Sequence, residues 1–242
     1  MRNKPVIVLL HGHGVNASIW DALQASLSGD YSVVKPDFSA QTHHETIEAY
    51  AEDLFSQLRA AEVQACVLVG HSMGGYIALA FAEQHPDLVR GLVLLNSTAF
   101  ADTDEKKQAR QKTVESLQEK GTAPFIEQTV PKMFGERFGQ NRADEVQKYV
   151  SQFSTLPTEA LIAGVKSIAA RPDRVAVLQK ATFPVLLIAG QQDQLVPFDK
   201  SQELFDQVPQ AETVVLKNAG HLGVIESPEE VTKAIQDFIG KV

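Results

Sequence analysis

Short apolar runs alternate along this chain with longer stretches whose apolar residues recur every three to four positions. The short runs are Val6–Leu10, Tyr31–Val34, Cys66–Val69, Leu92–Leu95, Val185–Ala189 and Thr213–Leu216, rich in Val and Leu and apolar at odd and even positions alike. Strands of this kind are buried on both faces, which predicts a parallel sheet covered by helices on each side. Helices are predicted over Ser18–Leu27, Thr46–Ala61, Gly75–Gln84 and Lys200–Gln207. A last one opens at Ser227-Pro228-Glu229-Glu230, with Ser as the cap, Pro in the first helical position and Glu three residues after the cap. The repeated β-α order makes this an α/β chain with a doubly wound, mostly parallel sheet of about six strands flanked by helices.

One stretch breaks the alternation. From Phe100 to Ala181 no strand pattern recurs. Asp102–Lys120 is mostly charged, with Val114 and Leu117 as a thin apolar stripe, while Phe125–Phe134, Val146–Phe153 and Ala160–Ile168 are amphipathic. The expected division is a core domain of residues 1–99 and 182–242 with a helical cap, residues 100–181, inserted over the sheet's C-terminal edge. An ordinary helical subdomain with no gating role fits the same pattern.

Charge narrows the partners. Lys plus Arg number 22 against 30 Asp plus Glu, a net charge of −8, whereas phosphate backbones and anionic membranes are bound through basic patches. No apolar run approaches the roughly 18 residues that span a bilayer, and Val6–Leu10 is too short for a signal-peptide core. Cys66, the single cysteine, permits no intrachain disulfide, so a cytoplasmic setting is expected. Within its apolar run it reads as a small buried hydrophobe.

Gly70-His71-Ser72-Met73-Gly74 follows the run Cys66–Val69 and precedes a helix-prone stretch. A chain of this length carries G-x-S-x-G by chance roughly once in ten, and a serine there could simply cap the helix. The strand–turn–helix context instead points to a nucleophile elbow, where tight packing excludes a Cβ at the flanking glycines. A serine hydroxyl is a poor nucleophile at neutral pH and needs a base, a partner for that base and an oxyanion site.

Strand ends supply all three. Asp193 follows the run Val185–Ala189 in Gly190-Gln191-Gln192-Asp193, and His221 follows Thr213–Leu216 in Lys217-Asn218-Ala219-Gly220-His221. Ligand sites in open α/β sheets gather at that edge. His221 would take the serine proton and return it to the leaving group, with Asp193 holding the imidazole in one tautomer. Asp102, beyond the run Leu92–Leu95, is the rival acid. The backbone N–H groups of Met73 and of His13, within His11-Gly12-His13-Gly14, are the expected oxyanion donors. His11-x-His13 and His43-His44 lack the further ligands a zinc site requires, so no metal is expected, and His11 reads as a buried ring bonded to its own loop.

These pieces, in this order, resemble the α/β-hydrolase superfamily, in particular its small, capped, esterase-like members. The resemblance covers nearly the whole chain. It implies a Ser72, Asp193, His221 triad without metal or organic cofactor, and a cap between the sixth and seventh family strands. Two departures stand out: only Met1 to Pro5 precede the first strand, where the family usually has an extra hairpin, and Pro36–Thr42 has no glycine where many relatives have a Gly-rich turn. Serine as nucleophile excludes the aspartate-based dehalogenases and epoxide hydrolases of the same fold.

The expected activity is hydrolysis of a carboxylic ester, thioester or lactone of a small, largely apolar acyl substrate through an acyl-enzyme on Ser72. Lyase, acyltransferase or perhydrolase chemistry on the same fold is the enzymatic alternative, and a non-catalytic small-molecule sensor is the alternative of another class. Trp20, Phe38, Phe100, Met133, Phe134, Phe138 and Leu222 are the candidates for an apolar pocket, though residues of this kind more often sit in the core.

Overall fold

In the computed structural model, which describes residues 4–242, every predicted apolar run is a strand: β1 Val6–Leu10, β2 Val33–Val34, β3 Cys66–His71, β4 Val89–Leu95, β5 Val185–Gly190 and β6 Glu212–Leu216. All neighbours are parallel, in the order β2-β1-β3-β4-β5-β6. Of the Met1–Pro5 stretch before β1, residues Met1–Asn3 lie outside the described residues. The helices are α1 Asp21–Leu27, α2 Ile47–Ala60, α3 Met73–Gln84, α4 Asp104–Lys120, α5 Thr122–Thr129, α6 Glu136–Asn141, α7 Ala143–Phe153, α8 Thr158–Ala170, α9 Val175–Gln179, α10 Phe198–Gln207, α11 Gly223–Glu226 and α12 Pro228–Ile239. Among the described residues no helix is long and apolar enough to cross a membrane.

Strand parity sorts the core into two layers. Ile7, Leu9, Val67, Val69, Val93, Leu95, Leu186 and Ile188 point to one face, packing with Leu23 of α1 and Ile235 of α12. Val8, Leu10, Leu68, Leu92, Leu94 and Leu187 point to the other, against Leu54 of α2, Ile77 of α3 and Leu204 of α10. Burial on both faces explains why the central strands read as unbroken apolar runs. Each fully buried Leu, Ile or Val contributes about 1.5–3 kcal/mol against exposure. The edge strand β6 differs, with Glu212 and Thr213 exposed.

Two local expectations are corrected. Ser227 precedes α12, but its ψ of 55° is not the extended geometry of a capping serine and its hydroxyl makes no capping bond. The stretch Phe125–Phe134 is not one helix: Pro131 lacks an N–H and α5 gives way to a 3₁₀ turn, Val130–Met133.

Six helices and no strand lie between β4 and β5. Val114 and Leu117 of α4, Val150 and Phe153 of α7 and Leu161 of α8 join the layer that contains α1, whereas α9 packs through Val175 and Leu178 into the opposite layer. The chain winds from β1 to β2 in one direction and from β3 to β6 in the other. The crevice between the C-terminal ends of β1 and β3 is therefore the topological switch point where such sheets bind ligands. Both the His11–Gly14 loop and Ser72 stand there.

Candidate active site

Ser72 links β3 to α3 with φ 52° and ψ −119°, a conformation costly for a non-glycine residue, of order 1–3 kcal/mol. Close packing enforces the turn. A Cβ on Gly70 would lie 2.4 Å from Gly74 O, one on Gly74 2.1 Å from Leu10 O, and one on Gly75 2.2 Å from Ser97 Oγ. The Ser72 N–H donates to Leu95 O at 3.1 Å, and Ser97 Oγ donates to Ser72 O at 2.8 Å. Both hydrogen bonds come from the end of β4, while Leu10 of β1 packs against Gly74.

His221 and Asp193 meet at the ends of β6 and β5. His221 Nδ1 lies 2.8 Å from Asp193 Oδ2, and both residues are buried. The other carboxylate oxygen, Asp193 Oδ1, accepts the N–H groups of Leu195 (2.8 Å) and Val196 (2.9 Å). Burial opposes the charge on Asp193, but His221 and these N–H donors outweigh it and hold the carboxyl below its usual range. With the carboxylate ionised, Nδ1 carries the ring proton and Nε2 is free to act as a base.

Three residues outside the predicted set support this pair. Asn96, at φ 48° directly after β4, donates Nδ2–H to Asp193 Oδ2 (3.1 Å) and to Gly220 O (2.9 Å). His71 Nε2 donates to the His221 carbonyl at 2.8 Å. Glu226 accepts the Gly220 N–H at Oε1 (2.8 Å) and the Gly135 N–H at Oε2 (2.7 Å), joining the His221 loop to the helical segment. A polar Asn closing an apolar strand was a readable signal for the first. The others depend on contacts distant in sequence.

A cavity of about 200 Å³ brings Ser72, His221 and His13 together with Tyr76, Arg110 and the apolar side chains Phe125, Met133, Val165 and Ile168. His13 and Met73 border a small adjoining void beneath α8. His13 Nε2 lies 2.9 Å from Leu161 O, so it carries the proton, and burial, reinforced by the Arg110 charge, pushes the ring down to about 4. His11 is buried with Nδ1 2.8 Å from Gly12 O, bonded to its own loop.

Of the apolar candidates only Met133 lines this cavity. Trp20 and Leu222 lie in the core on the α1 side, whereas Phe38 packs on Tyr50 in the opposite layer and borders the small void beside His13 and Met73. Phe134 is buried and stacks on Phe138, which borders an outer groove with Arg137 and Arg142. Phe100 borders a second groove, which adjoins the Ser72 cavity through Tyr76, Arg110, Leu195 and Val196. Periodicity marks a side chain as buried, but core and pocket walls share that pattern.

Asp102 does not approach His221. It is buried and ion-paired to Arg110 Nε and to Arg171 Nη2, the latter at 2.9 Å. Burial opposes its charge, yet Arg110 and Arg171 together hold its carboxyl below the usual range. Arg171 also lies over the Tyr76 ring, 4.2 Å from its centroid.

Comparison with known proteins agrees with this architecture. A profile of the alpha/beta hydrolase family matches residues 7–234. The pimeloyl-[acyl-carrier protein] methyl ester esterase of Aeromonas hydrophila is 26% identical, the match covering 98% of this chain and 96% of the relative. The 3-oxoadipate enol-lactonase 1 of Acinetobacter baylyi is 25% identical over 99% of this chain and 90% of its own. Among solved structures, a thermophilic esterase from Thermogutta terrifontis superimposes with a TM-score of 0.90 at 30% identity, covering 98% of this chain and 90% of that one.

Proposed function

This chain belongs to the alpha/beta hydrolase family, and we propose that it hydrolyses carboxylic esters of small substrates through an acyl-enzyme on Ser72. The observation that carries this reading is the buried 2.8 Å His221–Asp193 pair bordering the same cavity as a serine on a strained turn. Relatives named as ester and lactone hydrolases support it.

Ser72 Oγ attacks the carbonyl carbon while His221 Nε2 takes its proton, and Asp193 stabilises the imidazolium that results. The new oxyanion receives the N–H groups of Met73 and His13; losing one such donor typically costs about 10²–10³ in rate. Collapse breaks the ester C–O bond, and the departing alcohol takes its proton from His221. Water then attacks the acyl-enzyme with His221 again as base, releasing the acid and restoring Ser72. The helical segment α4–α9 serves as the cap, since α4, α5 and α8 supply Arg110, Phe125 and Val165 to the cavity wall.

A fluorophosphonate probe with peptide mapping tests this directly. Labelling on the Ser72 peptide, lost in Ser72→Ala, is expected together with turnover of short acyl esters. Labelling elsewhere, or hydrolysis that survives Ser72→Ala, would refute it.

A further inference from the structure

Positive charge collects at the mouth of the site in a chain whose net charge is −8. The Ser72 cavity adjoins an outer groove of about 250 Å³, and the two share Tyr76, Arg110, Leu195 and Val196. The groove carries Lys106, Arg110, Arg171 and Lys200 against only two carboxylates, Asp102 and Glu203. Lys200 is engaged by Glu203 at 2.7 Å and Arg171 by Asp102 at 2.9 Å. Lys106 and Arg110 are four residues apart on α4 and share one face.

Arg110 is the link between the two spaces. Its Nε is held by Asp102, which fixes the guanidinium, while its Nη groups have no hydrogen-bond partner among the described residues. Its side chain retains 30% exposure. Its charge also reaches the oxyanion loop, where it lowers the pKa of His13. Asp102 cannot cancel this charge alone, because it neutralises Arg171 as well.

Size points the same way. The inner cavity, about 200 Å³, is below the roughly 300–1,000 Å³ usual for ligand sites, and only together with the groove does it reach that range. A substrate filling both spaces sets its ester at Ser72, passes an apolar wall of Phe125, Met133, Val165 and Ile168, and ends at Arg110. Two free Nη donors in one plane match the two oxygens of a carboxylate.

Resting on the reading of Ser72 as the nucleophile, we propose that the preferred substrates are half-esters of dicarboxylic acids, with the free carboxylate bound by Arg110 and drawn in by Lys106. Arg110 is thus a specificity residue, positioned by Asp102.

The test compares monomethyl adipate with methyl hexanoate on the wild type, Arg110→Gln, Arg110→Lys and Lys106→Gln. Thermal melts confirm that each variant is folded. The expected result is that the half-ester is favoured in kcat/KM by the wild type. That preference should fall at least tenfold in Arg110→Gln, mainly through KM, less in Arg110→Lys, and severalfold in Lys106→Gln. Adipate should protect Ser72 from the fluorophosphonate in the wild type and not in Arg110→Gln. An equal preference in wild type and Arg110→Gln, or equal protection by adipate, would overturn the proposal while leaving the nucleophile intact. Failure of the probe to label wild-type Ser72 strikes at the nucleophile assignment itself. Should neither ester turn over, the protection result decides.

Discussion

His71 Nε2–H donates a hydrogen bond to the main-chain carbonyl of His221, 2.8 Å away, so the residue preceding the candidate nucleophile holds the loop of its candidate base. A carbonyl can only accept, so the proton sits on Nε2, and the buried Nδ1 is left without a partner among the described residues. The two rings lie 4.9 Å apart. Burial, reinforced by the His221 charge, pushes His71 down to about 3, so this ring stays neutral wherever the protein is folded and active.

That neutrality makes folding sensitive to acid. Between its ordinary value of 6.5 and about 3, the unfolded chain binds a proton at His71 that the folded chain refuses. Stability therefore rises with pH across this window, is fully present above it, and is lost on acidification by about 1.4 kcal/mol per unit. Urea unfolding at pH 7 and pH 5 should show His71→Asn losing over 1 kcal/mol less than the wild type between the two. An equal loss in both proteins would mean that His71 is not held neutral. His13, held near 4, adds to the fall in the same direction.

Ser72 offers a separation of chemistry from backbone strain. At φ 52° alanine is as strained as serine, whereas glycine is at ease. Both Ser72→Ala and Ser72→Gly should abolish probe labelling. Only the glycine variant should also gain stability, by about 1 kcal/mol, read as a higher Tm. A large Tm loss in Ser72→Ala would instead mark a structural serine.

The acid is decided by comparing two substitutions. Asp193→Asn leaves His221 in the wrong tautomer and should reduce kcat/KM by about 10³–10⁴. Asp102→Asn breaks a buried pair with Arg171 and a part-buried one with Arg110, so its first consequence is instability, of order 3–5 kcal/mol. Thermal melts alongside kinetics distinguish them. A larger activity loss in folded Asp102→Asn than in Asp193→Asn would assign the acid to the end of β4.

Much of this arrangement was legible because it rests on short-range rules. The six strands announce themselves as apolar runs, and Ser72, Asp193 and His221 each stand in the segment that follows one. What stayed hidden depends on contacts remote in sequence. Asp102 meets Arg171 across 69 positions, and no spacing rule distinguishes an arginine-bound carboxylate from a histidine-bound one. Met133 and Phe134 are adjacent and both buried, yet only Met133 borders the cavity: Met133 ends the 3₁₀ turn and Phe134 follows it in extended backbone, a break that a helical reading of the stretch does not carry. Val114 and Leu117, the thin stripe on a charged helix, did mark the buried face of α4, while Arg110 on that helix reads from sequence as ordinary surface charge.

Glu226 should couple the helical segment to His221, and pH reveals how. Its two oxygens hold Gly220 and Gly135, while Met133 O accepts the N–H groups of His221 (2.7 Å) and Leu222 (3.0 Å). Burial pushes the Glu226 carboxyl from an ordinary 4.5 up to about 7, with the Asp193 charge adding to it against the two N–H donors. The folded state thus holds this proton more tightly than the unfolded chain, so the stabilisation is present below 4.5 and lost as pH rises through about 7. Glu226→Gln removes the charge and leaves one carbonyl oxygen to serve two N–H groups. Its Tm relative to the wild type should therefore improve from pH 5 to pH 8, while kcat falls severalfold at both pH values with KM little changed. The split arises because a loosened His221 loop disturbs the candidate base more than the cavity. A Tm difference identical at both pH values, with kcat unaltered, would reduce Glu226 to an ordinary surface carboxylate.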